Sequence, residues 1–86
     1  MAYPVYNTCK SLAASTTATY QNKGVLVVPG TSAGSAVLNA YSNPGGGTQG
    51  DAITVRFPAN GSPFVVPISI HSSGAYSNVQ GVFELL

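Results

Sequence analysis

Charged side chains are scarce in this sequence. Only Lys10, Lys23, Asp51, Arg56 and Glu84 are ionised at neutral pH, 6% of the 86 residues, whereas an ordinary soluble domain has roughly 25%. Without a basic cluster the chain lacks the main source of affinity for a phosphate backbone, so we expect no nucleic-acid partner. A charge-poor surface promotes association, and we expect neighbouring chains to cover much of it. The alternative is a neutral domain of extracellular type that its many Ser, Thr, Asn and Gly residues keep in solution.

Long apolar runs and paired cysteines are also missing. The longest apolar segments, GVLVVPG and FVVPISI, have the length of strands and fall short of the ~18–20 residues that span a bilayer, so we expect no membrane partner. The segment MAYPVYNTCK has no basic region followed by an apolar stretch, and we expect no secretory signal. Cys9 is the single cysteine, which excludes an internal disulfide framework and suits synthesis in a reducing cytoplasm.

Residues that carry catalysis or bind metals are few and scattered. His71 is the only histidine, and the two carboxylates, Asp51 and Glu84, lie in unrelated segments. Cys9 has no second ligand at metal-binding spacing. We therefore expect no enzymatic activity, no metal and no cofactor.

One glycine-rich segment, NPGGGTQGD at 43–51, matches the spacing of a dinucleotide-binding turn through Gly45, Gly47 and Gly50. Such a turn needs a helix after the glycines, because the helix N-terminus faces the pyrophosphate. The segment that follows, DAITVRF, is β-branched and alternates with period two, which predicts a strand. We therefore interpret 43–51 as a loop that joins two strands.

Short alternating segments, punctuated by ten glycines and six prolines, predict an all-β fold. The predicted strands are 24–29 (GVLVVP), 36–42 (AVLNAYS), 52–57 (AITVRF), 64–71 (FVVPISIH) and 79–86 (VQGVFELL), and the predicted turns are 28–35, 42–51, 58–63 and 71–78. In the clearest strand, Ile53, Val55 and Phe57 should share one face. Pro67 cannot donate to a ladder, so its strand should be an edge or carry a bulge.

The N-terminal quarter is less regular. Residues 11–23 permit a helical turn around Leu12, but the Ser/Thr run and Tyr20 favour a strand. Residues 1–9 should form an extended arm, because the residue before Pro4 is pushed to extended geometry. Six or seven short strands with turns about every 8–12 residues indicate a small antiparallel β-sandwich or jelly-roll-like domain over residues 10–86, preceded by the arm.

The five tyrosines are candidate contact residues. Ordinary half-buried strand aromatics account for most such residues, but exposed tyrosines also anchor interfaces or stack on sugar rings. We expect the arm to supply partner-binding residues, and Tyr41 and Tyr76 to be the possible ligand or interface aromatics of the domain. The arm residues assigned to partner binding are Tyr3, Pro4, Val5 and Tyr6.

From Gly24 onward the chain resembles small β-sandwich virion proteins of tailed bacteriophages, of the kind that decorate or cement capsids. The resemblance rests on a GVL strand, the segment SAVLNAYSN, the strand AITVRF after a glycine-rich loop, PANGS, the Pro-containing strand FVVPISI, the GAYSNV turn and the final strand GVFELL. It covers about 60 residues and leaves the first 23 outside. It implies a structural subunit on the capsid surface, often a trimer, and it brings no catalytic residues.

The resemblance and the composition together lead to one expectation. The chain should be a capsid cement or decoration subunit, made in the host cytoplasm, that bridges major capsid protein or other virion subunits and forms a homo-oligomer, with a trimer favoured. The alternative is a carbohydrate- or receptor-binding β-sandwich module of a phage tail, fibre or surface adhesin, with Tyr41, Tyr76 and the loops as its binding residues.

Overall fold

The protein folds into seven β-strands, as described by a computed structural model that covers residues 6–44 and 46–86. The strands are β1 (Cys9–Ser11), β2 (Gly24–Pro29), β3 (Gly34–Tyr41), β4 (Gln49–Phe57), β5 (Phe64–Val66), β6 (Ile70–Ser77) and β7 (Val79–Leu85). The described residues contain no helix. The prediction of a small all-β domain is therefore confirmed.

Two antiparallel sheets make up the sandwich. The four-stranded sheet has the order β1-β7-β2-β5, and the three-stranded sheet has the order β4-β3-β6. The core between them is formed by buried apolar side chains from both sheets and from the segment between β1 and β2: Leu12, Ala18, Val25, Val27, Leu38, Phe57, Ile70 and Val82. Because successive strand residues point to opposite faces, alternate residues of β2 and β3 supply this core.

Alternation predicted four of the strands well. β2 has the predicted bounds, β3 and β7 differ from prediction by one or two residues at their ends, and β4 begins three residues earlier than predicted. On β4, Phe57 is buried and Val55 is half-buried, but Ile53, which should share their face, is 36% exposed, so exposure increases toward the start of the strand.

Pro67 divides the predicted strand 64–71. β5 ends at Val66, and the backbone N–H of Ile68 bonds back to the Val66 carbonyl at 2.9 Å. Ile70 then starts β6 in the other sheet. β5 is an edge strand, as the missing N–H of Pro67 predicted.

The prediction of a turn over 71–78 is wrong, because β6 occupies Ile70–Ser77. Ser72 and Ser73 are buried there, and their hydroxyls bond partners far along the chain: Ser72 Oγ accepts from Asn39 Nδ2 (3.1 Å), and Ser73 Oγ donates to the Ala13 carbonyl (2.6 Å). The local sequence of polar residues predicted a turn, but these residues are compatible with a buried strand because their hydroxyls form hydrogen bonds with distant segments.

The prediction of a strand over 11–23 is also wrong beyond Ser11. The segment turns twice, with left-handed backbone at Ser15 (φ 54°) and Gln21 (φ 60°), and it makes a single bridge, Thr17 to Ser72. The hydroxyl of Thr16 bonds the Ala13 carbonyl at 2.7 Å, a local bond of the kind that competes with a β-ladder.

This turning segment, residues 12–23, lies along the free edge of β6. Backbone bonds join Ser15 to Gly74 (3.0 Å), Ser73 to Thr16 (2.8 Å) and Ala18 to His71 (3.0 Å). The segment therefore covers one edge of the three-stranded sheet.

Two buried polar side chains fix the end of this segment. Asn22, 2% exposed, donates from Nδ2 to the carbonyls of Thr19 and Ile70 (both 2.8 Å) and accepts from the Ile70 N–H (3.1 Å). Glu84, also 2% exposed, accepts the Thr19 N–H at 3.1 and 3.3 Å through its two carboxylate oxygens. These bonds hold Thr19 and Asn22 in place, and Tyr20 lies between these two residues in the sequence.

Candidate functional site

Most of the predicted arm lies outside the described residues, including Tyr3, Pro4 and Val5. The described chain begins at Tyr6, whose side chain is 38% exposed. The next residues follow the C-terminal end of β7: Leu86 donates its N–H to the Thr8 carbonyl (2.9 Å), and Asn7 donates to the Leu86 carbonyl (3.3 Å). The described end of the predicted arm therefore lies beside the C-terminal end of β7, and the role of the arm in partner binding stays a prediction.

Tyr76 faces the interior of the sandwich. It packs against the core, and its hydroxyl donates to the Leu12 carbonyl at 3.0 Å. Burial is the main cause that raises its pKa, a hydrogen bond with Ser73 opposes the rise, and the charge of Glu84 adds to it. Tyr76 thus connects β6 to the start of segment 12–23.

Tyr41 lies at the opposite end of the same sheet. Tyr76 pairs with Ala36 on β3, and Tyr41 ends that strand, so the two tyrosines are separated by roughly 17 Å along it. The sequence named both as ligand aromatics, but they do not share one site.

An aromatic cluster surrounds Tyr41 instead. Its ring meets that of Tyr20 edge-on, with centroids 6.1 Å apart and planes at 89°, and meets that of His71 at 5.6 Å and 85°. Tyr20 is 56% exposed. The local pattern did not predict Tyr20 in this cluster, because the strand predicted over 11–23 left out the turn that brings it to Tyr41.

A groove runs past this cluster. One cavity of about 250 Å³ lies on the Tyr20 side of Tyr41, and a second of about 540 Å³ lies on its other side, with Tyr41, Pro44 and Ser69 lining both. A third hollow of about 270 Å³ adjoins His71. We call the first two cavities the tyrosine groove. No charged residue is among the described residues that line any of the three. Ser, Thr, Asn, Gln and Tyr make up most of the lining of the first and third, whereas half of the residues that line the second are apolar: Ala40, Pro44, Ile53 and Ile68.

The glycine-rich loop forms one wall of the groove. It joins β3 to β4, as predicted, and a strand follows it where a phosphate-binding turn needs a helix. Gly46 has φ +79°, and a Cβ placed there would lie 2.7 Å from Cε1 of Tyr20. Only glycine lets the loop lie this close to the tyrosine ring.

His71 is held by its neighbours. Its Nδ1 lies 2.9 Å from Oγ of Ser72, which also accepts the Asn39 amide. No group of three or more His, Cys, Asp or Glu side chains among residues 6–44 and 46–86 is arranged to hold a metal ion. The absence of enzymatic activity and of a cofactor stays a prediction.

The outward face of the four-stranded sheet is apolar. On β2, Val25 and Val27 are buried in the core, so Leu26 points outward; its neighbours across the sheet are Phe83 on β7 and Val65 on β5. Val65 is 41% exposed, and Leu26 and Phe83 are half-buried. We call these three residues the outer apolar row.

Gly81 leaves room for the ring of Phe83 on the outward face of β7. A Cβ at Gly81 would lie 2.9 Å from the ring of Phe83, so the ring covers the backbone at Gly81. The solvent face of an antiparallel sheet is ordinarily polar, and β4 in the other sheet follows that rule with Thr54 and Arg56 exposed. The outward side of β4 is therefore more polar than that of β2, with the half-buried Val37 of β3 as the apolar residue beside Thr54.

The nine-residue strand β4 has an open edge. In the three-stranded sheet it pairs with β3 alone, and no backbone bond joins its other edge to any residue in the described part of the chain. A long exposed edge is a template for pairing with another chain.

Among the described residues, no helix is long and apolar enough to cross a membrane. Comparisons of the chain with protein-family models, with curated proteins and with solved structures found no match.

Proposed function

We propose that this chain is a structural subunit of a virus particle, of the capsid cement or decoration type, that binds neighbouring subunits through the outward face of its four-stranded sheet. The observation that carries the proposal is the outer apolar row of Leu26, Val65 and Phe83. The resemblance of the segment from Gly24 onward to phage virion proteins supports the virion location.

Burial of this row would supply the binding free energy. Complete burial of one Val, Leu or Phe side chain is worth about 1.5–3 kcal/mol, and a half-buried residue gains about half of that when a neighbour covers the rest. Such contacts form only in the assembly, so they stabilise the assembled state by linkage. Repetition over many copies raises the effective affinity of a weak contact.

The distribution of charge supports the same proposal. Glu84, one of the five charged residues, is buried within the domain. The remaining charges are few and of both signs, which leaves little electrostatic repulsion between copies.

A decoration assay tests this function. Purified chain is mixed with particles that lack it, the particles are pelleted, and the bound chain is measured. Val65→Glu should reduce binding at least tenfold, because a carboxylate would be buried without a partner. Thr54→Glu places the same charge on the polar outer face and should bind as the unaltered chain does. Removal of residues 1–5 should also reduce binding if the predicted arm contacts neighbours.

Equal binding by Val65→Glu and the unaltered chain would contradict the proposed use of this face. Circular dichroism of each variant separates loss of binding from loss of fold. Val65 is a suitable position because it lies on an edge strand and is already partly exposed.

A further inference from the structure

We infer that the tyrosine groove is a binding site for a neutral carbohydrate chain. The inference is independent of the proposed assembly function, because the groove is built from the glycine-rich loop and the Tyr20 turn rather than from the outer apolar row. The sequence-based alternative named Tyr41 and Tyr76, whereas the geometry assigns the site to Tyr20 and Tyr41.

The two tyrosines form a right-angled aromatic corner. Their planes are 89° apart with centroids at 6.1 Å, so a ligand that lies flat on one ring meets the edge of the other. Sugar rings present an apolar C–H face beside hydroxyl groups, and tyrosine offers an apolar ring face beside a polar tip. An exposed corner of this shape suits a flat, amphipathic ring.

The lining favours a neutral ligand. Gln21, Ser42, Asn43 and Ser69 place amide and hydroxyl groups around the tyrosines, and no Lys, Arg, Asp or Glu lines the groove in the described part of the chain. A phosphate or sulfate would find no cation to neutralise it. A sugar hydroxyl both donates and accepts, and amide and hydroxyl side chains can do the same.

The corner is held in place before any ligand arrives. Asn22 is anchored by three hydrogen bonds, and Gln21 beside it has left-handed backbone at φ 60°. Gly46 fits the loop against the Tyr20 ring. A site fixed by its own fold spends less free energy on ordering when it binds.

The extent of the groove favours more than one sugar unit. Two cavities of about 250 and 540 Å³ share Tyr41, Pro44 and Ser69, and the larger lies within the range of roughly 300–1,000 Å³ that small-molecule sites occupy. Tyr41 lies at their junction, so it should contact the ligand on both sides.

Titration with defined neutral oligosaccharides tests the inference. The probes are maltohexaose, cellohexaose, mannohexaose and chitohexaose, each added to the ¹⁵N-labelled full chain and followed by amide NMR. At least one should shift the amides of residues 20–22, 41–43, 46 and 69–71. Tyr41→Ala should weaken that response about tenfold or more, and Tyr41→Phe, which keeps the ring, should retain most of it.

Thr54→Ala is the control, because Thr54 is exposed on the outward side of β4 and lines none of the three cavities. It should leave the glycan response unchanged. The absence of shifts with all four probes at about 10 mM would overturn the inference. So would a Tyr41→Ala variant that binds glycan normally but changes oligomeric state, since the groove would then be an interface between copies.

Discussion

At the scale of single residues, the interior of this small domain depends on polar side chains whose partners lie far away in the sequence. Asn22 bonds Ile70, Glu84 bonds Thr19, and Tyr76 bonds Leu12. No buried side-chain nitrogen or oxygen among the described residues lacks a partner. A thin core gains specificity in this way, because each polar group is satisfied in the native arrangement and orphaned in others.

Tyr76 gives a test of this arrangement through pH. Its pKa is raised, chiefly by burial, so above pH 10 the unfolded chain loses the phenolic proton more readily than the folded chain does. The stability that the protonated Tyr76 phenol contributes is therefore fully present below pH 10. The free energy of unfolding should fall as the pH rises from there through the folded-state pKa. Urea unfolding at pH 8 and pH 11 measures this fall.

At pH 8 the free energy of unfolding of Tyr76→Phe should be about 1 kcal/mol lower than that of the unaltered chain, because the variant lacks the hydrogen bond to the Leu12 carbonyl. Between pH 8 and pH 11 its free energy of unfolding should fall by less than that of the unaltered chain. Tyr6→Phe serves as the control at an exposed tyrosine. If Tyr76→Phe loses as much stability between the two pH values as the unaltered chain, the buried phenol does not cause the alkaline fall.

At the scale of elements, the contact between the glycine-rich loop and the Tyr20 turn joins two segments that are distant in sequence. Gly46 and Gly47 both have positive φ, +79° and +95°, but only Gly46 has an atom within 4 Å of a Cβ placed on it. The pair therefore separates backbone strain from close packing.

Both Gly46→Ala and Gly47→Ala should cost about 1–2 kcal/mol through left-handed backbone strain. Gly46→Ala should also displace the Tyr20 ring, which NMR would detect as altered aromatic shifts of Tyr20 and Tyr41. Gly47→Ala should leave those shifts in place. Identical aromatic spectra in both variants would show that the loop does not hold the tyrosine corner.

Prediction from sequence succeeded where apolar residues alternate along a strand or form a short run. The alternation in 52–57 and the apolar run at 24–29 located β4 and β2, and Pro67 indicated an edge strand. It failed for β6, because Ser72 and Ser73 are buried polar residues whose partners come from other segments.

The candidate site was predicted only in part for the same reason. Tyr41 was named from the sequence, but Tyr20 joins it through a turn fixed by Asn22 and by the distant residues Ile70 and Glu84. Local pattern carries no information on such contacts. The strand predicted at 24–29 is apolar on both faces, which indicated an apolar outward residue at Leu26. That Val65 and Phe83 are the neighbours of Leu26 could be known only from the order of the strands in the sheet.

At the scale of the whole molecule, the two outer faces of the sandwich differ, and the proposed function depends on that difference. The four-stranded sheet presents Leu26, Val65 and Phe83, whereas β4 of the three-stranded sheet presents Thr54 and Arg56 beside the half-buried Val37 of β3. Because only 6% of the residues are charged, electrostatic repulsion between copies of the chain is weak and does not oppose contact between their apolar faces. Apolar association of this kind should be insensitive to salt, because screening acts on charges.

Sedimentation velocity over a range of protein concentrations, at low and at high salt, measures this association most directly. The unaltered chain should sediment as a defined oligomer of the 8.7 kDa protomer, with a trimer favoured, at both salt concentrations. Val65→Glu should shift it toward the protomer, and Thr54→Glu should not. An unaltered chain that sediments as a single 8.7 kDa species at every concentration would contradict the proposed association through the outer apolar row.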